Sequence, residues 1–216
     1  MRAHCCCNQK YSINFIANFR PLIMYTALKK WLQQYGITAT EADKKILKQY
    51  TRQMFIPRNT IIMKQGKPVE RLYFLNDGIV RLYRVHDRID KTIDFISWKE
   101  FVSTAVYVFN KVPSPCALET LTDVNALFWE EDDLLAIREK TTCGKLIEEK
   151  LLDKLLTWNQ DREIDIMTRT PEERYLKLID TQPDVIREVP IKIIASYLGI
   201  HQDSLSRIRK KLTRKT

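Results

Sequence analysis

The sequence predicts an α+β protein made of an N-terminal antiparallel β-roll of the jelly-roll kind, a long connecting helix and a C-terminal helix-turn-helix. Three observations predict it. Between Thr60 and Trp129, seven short β-rich runs follow one another with turn-forming residues between them. From Ile147 to Ile166, apolar residues recur at spacings of three and four. From Pro190 to Leu212, two short amphipathic stretches flank Gly199.

In chain order, residues 1–23 match no pattern that follows, and Met24 opens the first clean amphipathic stretch. We therefore expect residues 1–23 to be a poorly defined extension, with translation beginning at Met24. Tyr25 to Tyr35 reads as a short helix carrying Leu28, Trp31 and Leu32 and closed by Gly36. Thr38 and Glu41 have the spacing of a capping box. Ala42, Ile46, Tyr50 and Met54 then recur every four residues, which predicts a helix running to the break at Pro57.

The β-rich runs are Thr60–Met63, Arg71–Leu75, Ile79–Val85, Lys91–Ile96, Val102–Phe109, Ala117–Leu121 and Val124–Trp129. Gln65-Gly66-Lys67-Pro68, Asn76-Asp77-Gly78 and Pro113-Ser114-Pro115 supply turns between them. Helical spacing returns at Asp132–Lys140 and, past Gly144, in the long helix. Thr170-Pro171-Glu172-Glu173 opens a further helix that Pro183 ends. The expected organisation is a β-roll domain with flanking helices over 24–143, a linker helix over 144–167 and a C-terminal domain over 168–216, the boundary lying near Met167–Thr170.

In the long helix, Ile147, Leu151, Leu155, Trp158 and Arg162 form a narrow stripe with charged flanks (Glu148, Glu149, Lys150, Asp153, Lys154). That pattern suits a seam between two copies of the helix, with packing on the β-roll as the alternative. Inside such a seam Arg162 would need an anion, supplied by Asp161 or Asp165 of the facing helix.

The net charge of +9 and the isoelectric point near 9.3 favour an anionic partner without naming one. The distribution says more: Arg207, Arg209, Lys210, Lys211, Arg214 and Lys215 crowd the last ten residues with no acidic side chain among them. Five cysteines, three of them contiguous (Cys5, Cys6, Cys7) and two isolated (Cys116, Cys143), are no disulfide framework. No apolar run approaches the roughly 18 residues of a membrane span, so a reducing cytoplasm is the expected compartment.

In the C-terminal unit, Ile191, Ile194, Ala195 and Leu198 give the first helix an apolar stripe, and Gly199 permits a left-handed residue at its end. On the second helix Leu205, Ile208 and Leu212 fall on one side, with Asp203, Ser206, Arg207 and Lys210 opposite. Helix, glycine-containing turn and helix is the plan by which a second helix enters the major groove of double-stranded DNA; an ordinary helical hairpin is the alternative.

The order of these parts resembles the Crp/Fnr-type transcription regulators, the cyclic-AMP receptor protein superfamily, over about Thr38 to Leu212. The residues that carry the resemblance are Gly66 and Asn76-Asp77-Gly78 at β-roll turns, Glu173-Arg174-Tyr175-Leu176, Ile194-Ala195-Ser196-Tyr197-Leu198-Gly199-Ile200 and Leu205-Ser206-Arg207-Ile208-Arg209-Lys210-Lys211-Leu212. It implies a sequence-specific DNA-binding homodimer on a palindromic site, and a contact with RNA polymerase is compatible with it. It also implies base reading by Gln202, Asp203 and Arg207, whose chemistries suit adenine, cytosine and guanine edges respectively; Asp203 could instead orient Arg207. Ser204, Ser206, Lys210 and Lys211 are candidates for phosphate contact, as is His201, which stands where relatives often place a Ser or Thr N-cap.

Family members that bind cyclic nucleotides carry a Gly-Glu pair for the ribose and an Arg followed by Ser or Thr for the phosphate. Here those positions read Trp98-Lys99-Glu100 and Ser114-Pro115-Cys116, so the glycine and the arginine are missing. A buried phosphate needs a cation or several oriented N–H donors, and Pro115 has no N–H. The resemblance therefore implies a degenerate effector pocket, not controlled by cyclic AMP, that could hold another small molecule or none. Neither an iron–sulfur cluster, which needs spaced cysteines, nor haem, for which only His86 or Cys116 stands in the region, is expected. Catalysis of the metal-dependent cupin kind is not expected either, because His4, His86 and His201 lie in three separate regions. The rival reading is a cyclic-nucleotide-binding-like sensor or dimerisation module that acts through protein contacts, which leaves the basic second helix unexplained.

Overall fold

The computed structural model describes residues 21–97, 99–102, 105–110 and 112–213. Helix α1 (Pro21–Gln34) begins ahead of Met24 and runs across it. Helix α2 (Glu41–Tyr50) starts at a capping box formed by Thr40 and Asp43, two residues beyond the predicted Thr38 and Glu41. It also stops earlier than the four-residue spacing predicts. The Thr51 hydroxyl turns back to donate to Leu47 O at 2.6 Å while accepting from Trp129 Nε1 at 2.9 Å. Arg52–Ile56 becomes strand β1, paired residue for residue with Val124–Phe128. Met54 therefore belongs to a sheet, because pairing with a neighbouring strand outweighs a continued helical period.

The remaining strands are β2 (Ile61–Met63), β3 (Arg71–Asp77), β4 (Val80–His86), β5 (Ile89–Ile96), β6 (Glu100–Phe101), β7 (Ala117–Thr120) and β8 (Val124–Glu130). They form two antiparallel sheets of four strands, in the orders β1-β8-β3-β6 and β2-β7-β4-β5. Leu75, Val80, Leu118, Val124 and Ala126 fill the space between the sheets. In the stretch predicted as a fifth strand, Val102–Phe109, the residues from Ala105 onward form helix α3 (Ala105–Asn110) instead. Val108 still reaches the same core, so the apolar residues serve packing under either backbone.

Strand β3 reads as an unbroken apolar run because both its faces are covered. Tyr73 and Leu75 point between the sheets, while Leu72 and Phe74 face α1, α2 and two later helices, α4 (Glu131–Lys140) and α5 (Gly144–Thr168). The join between these helices is organised by Asp43, which is buried. Its carboxylate accepts from Thr40 N (2.9 Å) and Thr40 Oγ1 (2.8 Å) at the α2 cap, and from Thr142 N (2.8 Å) and Thr142 Oγ1 (2.7 Å) just before α5. Burial alone would raise its pKa; the bonds from Thr142 and Thr40 outweigh that and hold it at about 2. A group depressed in this way stabilises the fold above the unfolded carboxylate's pKa and loses that contribution as the pH falls toward 2. Asp43→Ala leaves four donors without their acceptor and is expected to cost about 3 kcal/mol. Chemical denaturation at pH 7 checks this, and an unchanged midpoint would contradict it.

The C-terminal part contains α6 (Pro171–Thr181), α7 (Pro183–Glu188), α8 (Ile191–Leu198) and α9 (Gln202–Thr213). Thr170 and Glu173 form the capping box of α6. Pro183, predicted to end a helix, opens α7, since its missing N–H costs nothing in a first turn. Tyr175, Leu178, Val185, Val189, Ile194, Leu198 and Leu205 make its core, joined by Ile79, Phe95 and Leu121 of the β-roll. The edge strand β5 thus carries the C-terminal domain. Thr92 N donates to Ser196 Oγ (3.0 Å), and Ser196 Oγ donates to Asp90 O (3.1 Å). Arg162 Nε donates to Ile93 O (3.1 Å) and Gln182 Nε2 to Phe95 O (3.3 Å). Side chains from α5, α8 and the α6–α7 junction thereby take up backbone groups along a strand edge that has no neighbouring strand.

Candidate nucleic-acid interface

Helix α8 ends at Gly199, whose backbone is left-handed (φ 71°) and whose N–H returns to Ser196 O at 3.1 Å. After two residues the chain enters α9. Leu205 is fully buried, with Ile208 and Leu212 packed beside it, so the apolar side is the one predicted. Gln202, Asp203, Ser204, Ser206, Arg207, Arg209, Lys210 and Lys211 are all exposed. No protein element covers this face among the described residues.

The exposed side chains are not equally free. Lys211 donates to both carboxylate oxygens of Glu172 (2.9 and 2.8 Å), fastening α9 to the start of α6. This phosphate candidate is therefore an internal tie. Ser206 Oγ donates to Gln202 O at 3.0 Å, one turn back. Asp203 sits beside His201 (3.2 Å to Nδ1) and not beside Arg207. His201 occupies the N-cap position: its carbonyl accepts from Ser204 N, and its Nδ1 stands 3.4 Å from Asp203 N. The imidazole thus takes the place of the expected hydroxyl. Arg207 and Lys210 make no ion pair among the described residues and extend from one face, where Arg can grip a guanine edge and Lys a phosphate. Arg214 and Lys215 lie outside the described residues.

The long helix corrects the predicted seam. Ile147 and Leu151 pack in the core with Leu72 and Trp129, and Leu151 is buried. Trp158 packs on the core between the sheets. Leu155 lines a cavity against β5 and β6, and Arg162 donates to Ile93 O. All five residues thus face their own β-roll, and Arg162 needs no anion from a partner. The stripe is apolar because the helix must cover this chain's own core. The opposite side of α5 carries three of the helix's exposed apolar residues, Leu156 (64% exposed), Ile164 (57%) and Met167 (76%).

At the effector pocket, Trp98 lies outside the described residues. Lys99 has a left-handed backbone (φ 66°) and donates its N–H to Leu75 O. Glu100 accepts from Trp31 Nε1 (3.2 Å) and pairs with Lys154. Ser114 is fully buried, with its Oγ accepting from Cys116 N at 3.2 Å. Tyr107, Cys116 and Trp158 pack on the core between the sheets. This set does not fit a cyclic phosphate. Its acid is engaged elsewhere, and its loop offers neither an arginine nor the N–H of residue 115; Arg84 and Arg162 approach only from other elements. Burial pushes the Cys116 and Cys143 thiols up, away from the reactive thiolate. Among the described residues no group of three His, Cys, Asp or Glu side chains is placed to hold a metal ion.

Asp94, on β5 between α5 and α8, has its pKa raised to about 7. Burial is the main cause, and Phe95 N–H, Arg162 and Trp158 only partly offset it. The folded protein keeps this proton up to about pH 7, whereas an unfolded aspartate releases it near pH 4. Stability therefore falls as the pH rises through that window. Asp94→Asn is expected to flatten the fall and raise the melting temperature at pH 8; thermal scans at pH 5 and pH 8 that match those of the parent would contradict it.

Comparison with known proteins agrees with this architecture. Residues 53–141 match the cyclic nucleotide-binding domain family. FixK2 from Bradyrhizobium japonicum superposes with a TM-score of 0.64 at 15% identity, over 76% of this chain and 85% of that one. A Crp/Fnr-family protein from Eubacterium rectale gives 0.64 at 14% identity over 82% and 84%. The c-di-GMP-responsive global regulator CLP from Xanthomonas campestris gives 0.59 at 15% over 82% and 93%. No curated protein matches the chain in sequence. The fold is that of the Crp/Fnr regulators: a β-roll, a long connecting helix and a C-terminal helical domain.

Proposed function

We propose that this chain is a sequence-specific DNA-binding transcription regulator of the Crp/Fnr type that acts as a homodimer and is not controlled by cyclic AMP. The observation that carries the reading is the outer face of α9: a basic, uncovered helix face held by Leu205 on the far side of a Gly199 turn. Arg207 is the base-reading residue, with Gln202 and Asp203 beside it at the helix start. Lys210 and Ser204 position the backbone, and His201 caps the helix within reach of phosphate. Dimerisation uses the exposed side of α5 through Leu156, Ile164 and Met167, because an apolar patch of this kind on a surface helix marks an interface. No helix among the described residues is long and apolar enough to cross a membrane, and the proposed site of action is the cytoplasm.

Two substitutions test the α9 assignment. Arg207→Ala is expected to lose about 1–3 kcal/mol on the cognate site and to relax preference at one base pair. Lys210→Ala is expected to weaken all sequences alike and to reduce the salt slope by about one. Binding isotherms on cognate and random duplexes at several salt concentrations measure both. Equal losses for Arg207→Ala on cognate and random DNA would remove its base-reading role.

A further inference from the structure

Helices α1 and α2 enclose a cleft of about 610 Å³. The turn that joins them, Gly36 to Ala39, forms one end. Tyr25, whose hydroxyl donates to Thr51 O at 3.3 Å, forms the other. Leu28, Leu32, Ile37 and Leu47 are buried residues that line its floor. The volume is that of a small-molecule site, roughly 300–1,000 Å³.

Among the described residues no acid lines this cleft, whereas Lys29, Lys44 and Lys48 do. Glu41 is paired with Lys44 at 2.5 Å, and the Asp43 carboxylate is spent on Thr40 and Thr142. Lys29 and Lys48 are exposed and make no ion pair among the described residues. The lining thus combines an apolar floor, whose side chains form no hydrogen bonds, with a cationic rim. A ligand that matches both is an amphipathic anion. Its hydrocarbon tail would lie on the leucines and along the aliphatic lysine stems, and its acid group would sit at the ammonium rim. Other occupants fit less well. Residues 1–20, which precede α1, carry Arg2, Lys10 and Arg20 and no acid, so they would add like charge. A second copy also brings net positive charge, +9 in all. An acidic helix lies along an open groove, and this cleft ends at the turn and at Tyr25.

We propose that the α1–α2 cleft binds one fatty acid, with Lys29 and Lys48 at its carboxylate and Leu28, Leu32 and Leu47 against its tail. Glu100, Ser114 and Cys116 take no part in the lining, so the site is separate from the degenerate nucleotide pocket. The same three leucines also line a void of about 40 Å³ with Ile147 and Leu151 of α5. A tail that presses on them therefore has space to move them toward α5. Trp31 of α1 adds a polar link, since its Nε1 donates to Glu100 and Glu100 pairs with Lys154 of α5. An effect of the ligand on dimerisation or DNA affinity rests on the function proposed above; the binding itself does not.

Titration calorimetry of the full chain with decanoate, dodecanoate and dodecyltrimethylammonium, each below the concentration at which it forms micelles, tests this. Dodecanoate is expected to bind one molecule per chain with a Kd of about 10–100 μM. Decanoate, two methylenes shorter, should bind about tenfold more weakly. Dodecyltrimethylammonium, with the same tail and the opposite charge, should also bind at least about tenfold more weakly than dodecanoate. Lys29→Gln with Lys48→Gln, both on the surface, should erase the preference for the carboxylate, and melting curves establish that the variant is folded. Absence of binding by the parent chain, the result expected if residues 1–20, a second copy or an acidic peptide fills the cleft, overturns the site. So does uptake of many molecules per chain, or equal affinity for the anion and the cation. Binding that leaves dimerisation and DNA affinity unchanged retains the site and refutes its coupling to α5. Binding in a chain that proves not to bind DNA supports the site and overturns the function.

Discussion

Replacing Gly144 by alanine is expected to be among the most damaging single-atom changes in the molecule, costing about 4 kcal/mol. Gly144 is the buried first residue of α5, where that helix lies against the end of α4. A Cβ there would stand 2.4 Å from Ile137 O and 2.6 Å from Arg138 Cα. Both obstacles are backbone, so no rotamer change relieves them, and the two helices must separate. The separation would open the cluster that holds Leu72, Trp129, Ile137 and Leu151 and pull Thr142 from Asp43. Lys145→Ala, one residue on and exposed, is the control and is expected to stay within about 0.5 kcal/mol. Urea denaturation of the two variants measures the difference. A loss below about 1 kcal/mol for Gly144→Ala would show that the α4–α5 join has more room than these distances allow.

The second large effect concerns assembly. Leu156→Glu with Met167→Glu places two charges on the exposed side of α5 and touches none of the chain's own core. The variant is expected to keep its far-UV spectrum and to sediment as a monomer at micromolar concentration. DNA affinity should fall by about a hundredfold or more, because a dimer converts the second half-site contact into an intramolecular one. By contrast, Leu151→Glu, on the buried side, is expected to unfold the chain. A Leu156→Glu, Met167→Glu chain that still sediments as a dimer would move the interface off this helix.

Much of this architecture was legible because local chemistry and tertiary packing agree. Six of the eight strands of the β-roll (β2, β3, β4, β5, β7 and β8), the Thr170–Glu173 capping box, the Gly199 turn and the buried side of α9 follow from period, caps and turn residues. The misreadings occur where a tertiary contact overrides a local pattern. Met54 continues a helical period yet pairs in a sheet through its neighbours' bonds to β8. The Val102–Phe109 run could pack from either backbone and was settled by its surroundings as a helix. The α5 stripe was visible, but spacing cannot say whether an apolar face meets another subunit or the chain's own core, and Ile147, Leu151 and Trp158 meet the core. On the α9 face proposed to meet DNA, residue types pointed to Arg207 and Lys210. The engagement of Lys211 by Glu172, 39 residues earlier in the chain, carries no sequence signature.

The most direct test of α9 as a DNA-reading helix is selection of genomic fragments by the purified chain, in parallel with its Arg207→Ala variant. The parent is expected to enrich a two-fold symmetric sequence whose half-sites lie about one helical turn apart, and the variant to lose preference at one position in each half. Retention of fragments with no common sequence, or of none above background at moderate salt, would contradict it.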